Sequence, residues 1–147
     1  MKLAALLAWM GFIFYMSSQL DVASKASSDT TAGILYGIYG FFFPGTSLSL
    51  EDFIQANSHI IRKSAHFLEF MILGILSYMN YREYRKEKAI LIPFLFSSLY
   101  ALSDELHQLF VEGRSCQLTD ACIDSFGALT GIMICHLFYR WRKRSHS

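Results

Sequence analysis

The sequence predicts an all-α integral membrane protein, a four-span helical bundle with an amphipathic outer segment, on three observations. Of its 147 residues 53% are hydrophobic and 17% charged, too little polar material to cover a small soluble globule. Four apolar runs each approach the roughly 20 residues that a helix needs to cross hydrocarbon. Nine of the 13 basic residues fall in two clusters and at the N-terminus, the pattern of cytoplasmic segments. Strand-like alternation is absent, so the spans are helices rather than barrel strands. One domain, 1–147, accounts for the length. These properties exclude a secreted soluble enzyme and a disordered tail. The net charge of +1 lacks the basic excess of a nucleic-acid-binding module, and three cysteines argue against a disulfide framework.

The first span, 3–20, is apolar until Ser17, Ser18 and Gln19. A weak Val22-Ala23-Ser24 cleavage pattern follows it, but an even number of spans matches the two basic clusters and favours a retained helix. Residues 24–31 are Ser/Thr-rich and read as a loop. The run 32–43 is apolar, aromatic and stopped by Pro44-Gly45. It is too short to span, and its aromatics suit a headgroup boundary. Residues 30–60 are therefore expected to cap the outer mouth. Ser49-x-x-Asp52 resembles a helix start, from which a helix can run through Arg62 into the second span, 64–81. The third span, 89–111, carries Pro93 near its start, where a missing N–H matters little. The fourth covers 121–139.

The charges orient these spans. Lys2, the 82–88 loop and the 140–144 tail hold nine bases against Glu83 and Glu87, a net +7, while the remaining four bases and ten acids give −6. The positive-inside rule places both termini and the 82–88 loop in the cytoplasm. Tyr78, Tyr81, Tyr139 and Trp141 then form an inner aromatic belt, and the basic tail meets anionic headgroups.

Ionisable groups within spans are expensive and mark functional sites by default. Here they gather at the outer ends: Gln19 on the first span; Arg62, Lys63, His66 and Glu69 on the second; Asp104, Glu105, His107 and Gln108 on the third; Asp120 and Asp124 on the fourth. Alternating helices bring them to one depth, where with Arg114 of the 112–120 loop they are expected to line one cavity. Helical spacing puts Arg62, His66 and Glu69 on one stripe. Ser97, Ala101, Asp104 and Gln108 form a second. Asp120, Asp124, Gly127 and Gly131 form a third, whose glycines invite close helix approach. His66-x-x-Glu69 and Asp104-x-x-His107 are inverted pairs, expected to set two imidazoles at one level above two carboxylates.

These motifs resemble the VanZ-like family of bacterial membrane proteins. The matching pieces are Tyr15-Met16-Ser17-Ser18-Gln19, residues 62 to 69 (Arg-Lys-Ser-Ala-His-Phe-Leu-Glu), residues 103 to 114 from Ser103-Asp104-Glu105 to Gly113-Arg114, and Asp120-x-x-x-Asp124-x-x-Gly127. Phe70 stands where the family often has Tyr, and Glu112 where it usually has Pro. The resemblance implies a polytopic protein of the bacterial cytoplasmic membrane, and the family's founding member is associated with teicoplanin resistance. It does not supply a molecular activity.

Three chemistries fit the polar set. His66, Glu69, Asp104 and His107, with Asp120 or Asp124 as a further candidate, are ligand types for a divalent metal ion between facing helices. Alternatively His66, Glu69, Asp104, Glu105 and His107 supply acid–base groups acting on a phosphate ester of a lipid-linked substrate. In the third reading the bases and acids pair to fix the bundle, and Gln19, Arg62, Lys63, Gln108, Arg114, Asp120 and Asp124 bind a ligand without reaction. Arginine forks suit phosphate and carboxylate, so the expected partners are membrane lipids and an anionic lipid-linked or glycopeptide ligand. His136 reads as a satisfied or snorkelling helix histidine and Cys135 as a packing residue, while Cys116 and Cys122, both on the outer side, can pair or stay free thiols, the odd count being at least as consistent with the latter.

Overall fold

A computed structural model describes residues 2–19, 21–44, 48–85, 88–111 and 117–145. Within them the chain forms five helices and no strand: α1 (Lys2–Ser17), α2 (Asp21–Phe42), α3 (Leu50–Tyr84), α4 (Leu91–Gln108) and α5 (Leu118–Arg144). The 35-residue α3 is the hub, packing against each of the other four, with α5 its principal partner.

The start of α3 follows from its sequence. Ser49 caps the helix by accepting the Asp52 backbone N–H at 3.1 Å, with Glu51 and Asp52 in the positive first turn. The helix then continues through Arg62 to Tyr84 without a break. At the other pole α5 ends with Arg142, Lys143 and Arg144 in its last turn, complementing the negative helix end.

The glycine stripe of α5 is its packed face. A Cβ built on Gly127 would strike the carbonyl oxygen of Phe67, and one on Gly131 that of Met71. From the opposite side, a Cβ on Gly74 would strike the carbonyl of Ala128. Backbone therefore meets backbone along the α3–α5 seam, a contact that only glycine permits. Ser97, Ala101, Asp104 and Gln108 are likewise buried on α4.

Residues 24–31 differ from the expected loop, since they form the first half of α2. The hydroxyls make this possible by bonding back one turn: Ser28 to the Ser24 carbonyl (3.1 Å), Thr30 to Ala26 (2.8 Å) and Thr31 to Ser27 (3.0 Å). The apolar run beyond them is the second half of the same helix. Ser58 of α3 donates to Asp29 at 2.5 Å, and Tyr36 and Tyr39 meet the Phe53 ring, so α2 lies along the first turns of α3.

Two apolar clusters hold the bundle, Leu6, Ile13, Phe70, Leu73 and Ala101 in one, Tyr78, Ala89 and Ile132 in the other. Tyr78 thus sits in the core rather than in an inner belt. Its hydroxyl explains the difference, because it meets His136 Nδ1 at 3.1 Å and accepts from Arg82 at 2.7 Å. His136 is satisfied as expected. Arg82 also lies 4.6 Å over the Tyr139 ring, a cation–π contact, while Trp141 is exposed. Cys122 and Cys135 carry free thiols, and Cys116 lies outside the described residues.

Large apolar side chains face outward: Leu99 is 67% exposed and Leu137 57%, whereas Asp104 and Asp124 are 3% and 2% exposed. The polarity is inside out relative to a soluble bundle. α5 is long and apolar enough to cross a membrane, and α1 is a shorter apolar helix.

Candidate functional site

The polar residues converge where the end of α1, the middle of α3, the end of α4 and the start of α5 meet. Asp104 is the centre. Its Oδ2 accepts from the Ser17 hydroxyl at 2.6 Å and from the Gln108 amide at 3.1 Å, fixing the carboxylate between α1 and its own helix. Glu105 accepts the Gln117 backbone N–H at 2.9 Å and so ties the end of α4 to the start of α5. Lys63 donates to Asp120 at 2.6 Å, joining α3 to α5.

His66 and Glu69, one turn apart on α3, approach to 3.6 Å between Nδ1 and Oε2. Ligand atoms of His66, Asp104 and Asp124 lie within 4.8 Å of one another. Three helices thus contribute one atom each to a buried cluster. His107 faces elsewhere: its Nε2 is 3.0 Å from the Ser18 hydroxyl, and its ring stacks on Phe14 at 4.3 Å. The two imidazoles therefore serve different contacts instead of forming a matched pair. Of the four expected metal ligands, His66 and Asp104 join the cluster with Asp124, Glu69 stands behind His66, and His107 packs on α1. Arg114 lies outside the described residues.

A cavity of about 320 Å³ opens between α1, α2 and α3. Arg62, His66 and Glu69 form one wall and Gln19 another. The third wall was not expected from sequence: Ser24, Ser27, Ser28 and Thr31 of α2 present hydroxyls to the same space. Their spacing of i, i+3, i+4 and i+7 was the available signal, since it places four hydroxyl residues on one helical face. The cavity combines the Arg62 guanidinium, an imidazole, an amide and the Ser24 and Ser27 hydroxyls, groups that can donate to anionic oxygens, with the Glu69 carboxylate, while the Ser28 and Thr31 hydroxyls already donate to backbone carbonyls.

A family model described as VanZ/LLP1 matches residues 2–139, a stretch that includes all of these site residues. The chain belongs to the VanZ/LLP1 family. Comparisons with curated proteins and with solved structures gave no match. In this VanZ-like chain several of the motif residues quoted above meet in that cluster: Ser17 with Asp104 and Gln108, Lys63 with Asp120, and His66 with Asp104 and Asp124.

Proposed function

We propose that this chain is a multi-pass protein of the bacterial cytoplasmic membrane, with four spans and both termini in the cytoplasm, which recognises an anionic lipid-linked or amphiphilic ligand at the outer leaflet. The observation that carries the reading is the cavity in which Arg62 faces the hydroxyl stripe of α2. An arginine fork in one cavity with the Ser24 and Ser27 hydroxyls suits a phosphate or carboxylate headgroup. The outward leucines and phenylalanines of α1, α4 and α5 give an acyl or prenyl chain an apolar surface beside it.

Among the described helices α5 is long and apolar enough to span unaided, and four spans require the shorter α1 and α4 to cross as well. The 16 residues of α1 and 18 of α4 extend about 24 and 27 Å at 1.5 Å per residue. Flanking residues and a locally thinned bilayer make up the difference from roughly 30 Å of hydrocarbon. The charge distribution supports this orientation, and the exposed Phe41, Phe42 and Phe43 suit the outer headgroup level. Teicoplanin resistance and envelope maintenance are the phenotypes this reading attaches to the chain.

Titrating detergent-purified protein with short-chain phosphatidylglycerol and with phosphatidylcholine of the same chain length tests the reading by calorimetry. One charge-assisted hydrogen bond is worth about 1.5–3 kcal/mol, so phosphatidylglycerol should bind about tenfold tighter or better. Equal affinities contradict it. A second reading is favoured by the Glu69–His66 contact, which has the make-up of a carboxylate-held base: a membrane-embedded enzyme that cleaves or transfers a phosphate ester. Product accumulating during the same titration separates that reading from binding alone.

A further inference from the structure

Two buried carboxylates stand together beside the cavity. Ligand atoms of Asp104 and Asp124 come within 4.8 Å of each other and of His66, and Lys63 nearby is held by Asp120. Asp104 and Asp124 are almost fully buried, and the Oδ1 of each has no hydrogen-bond partner. Asp104 is anchored through its other oxygen by Ser17 and Gln108, which leaves the Oδ1 lone pairs open. Two neighbouring carboxylates away from water are neutralised either by a shared proton or by a bound cation, and the open Oδ1 lone pairs beside an imidazole suit a cation. The third member of the group, His66, also lines the cavity.

We propose that His66, Asp104 and Asp124 bind one divalent transition-metal ion of the manganese, iron(II) or zinc class. The donor set decides the class. One imidazole with two carboxylates suits these ions, whereas magnesium and calcium prefer all-oxygen shells and copper(I) prefers sulfur. Metal–ligand bonds of about 2.2 Å allow at most about 4.4 Å between two ligand atoms. The 4.8 Å envelope here therefore needs a contraction of roughly half an ångström. Glu69 Oε2 stands 3.6 Å from Nδ1 of His66, so a small approach would make it the kind of carboxylate support that orients a metal-bound imidazole. An ion held there by three protein atoms keeps coordination positions for water or an oxyanion. The inference rests on the buried aspartates and does not depend on the ligand reading above.

Full-length protein without a polyhistidine tag, stripped with chelator and titrated with Mn²⁺ or Zn²⁺ alone, provides the test. One ion per chain should bind. Asp124→Asn and Asp104→Asn should each weaken binding by at least about tenfold. Electron paramagnetic resonance of the Mn²⁺ form should show imidazole nitrogen coupling that disappears in His66→Gln. No stoichiometric binding of either ion by the parent overturns the proposal, as does Asp124→Asn binding as tightly as the parent. Should an asparagine variant fail to fold, the parent spectrum decides, since bound Mn²⁺ without imidazole coupling also overturns it.

Discussion

Gly131→Leu should leave little folded protein. A side chain at this position meets the carbonyl oxygen of Met71, and backbone cannot swing away as a flexible side chain can. The α3–α5 seam must part, losing the neighbouring contacts at Gly127 and Gly74 that depend on the same approach. Overpacking a core costs about 1–3 kcal/mol when side chains can adjust. A clash with backbone in the largest interface belongs to the rarer class above about 4 kcal/mol, a large share of a typical domain's stability. Gly11→Leu is the control, because a Cβ there meets nothing within 4 Å. Size-exclusion profiles and melting in detergent should show Gly131→Leu aggregated or melting far below the parent, with Gly11→Leu unchanged or slightly more stable.

Arg62→Glu should abolish recognition of anionic amphiphiles. The guanidinium is half-buried in the cavity wall, so reversal replaces a donor fork with a repelling carboxylate beside Glu69. Removing one partner of a desolvated charge pair costs about 2–5 kcal/mol. Affinity for short-chain phosphatidylglycerol should therefore fall at least about thirtyfold. Arg62→Gln keeps hydrogen-bonding capacity without the charge and should fall between the two. If Arg62→Glu binds like the parent while His66→Ala does not bind, Arg62 is not the recognition element and the His–carboxylate set carries the function alone.

The helical stripes made much of this arrangement legible in the sequence. Gly127 and Gly131 marked the packed face of α5 because small residues at i, i+4 leave room for backbone, and that is where α3 lies. Asp104 and Gln108 shared a buried face of α4 for the same periodic reason. A stripe gives a helix its inward face but does not name the neighbour across from it. Hence His107 could not be assigned to Ser18 and Phe14 of α1, and the spacing did not choose Asp124 over Asp120 for the group around His66. The helical state of residues 24–31 was hidden for another reason. Ser and Thr suit loops when their hydroxyls compete with the backbone, yet here each bonded hydroxyl reaches back to the preceding turn and leaves the helix intact. Tyr78 looked like a belt residue because its amphipathic ring suits a headgroup, but Arg82 and His136 satisfy its hydroxyl inside the bundle.

Labelling of single cysteines in intact cells, in a background with Cys116, Cys122 and Cys135 replaced, tests the central claim most directly. Ser27→Cys places a thiol on the exposed hydroxyl wall of the cavity, and Arg85→Cys places one in the basic loop after α3. A membrane-impermeant maleimide should label position 27 and not position 85 until the cells are opened. Short-chain phosphatidylglycerol should slow labelling at 27, and phosphatidylcholine should not. Labelling of position 85 from outside, or reaction at 27 that ignores the anionic lipid, would contradict an outward-facing anion-recognition site.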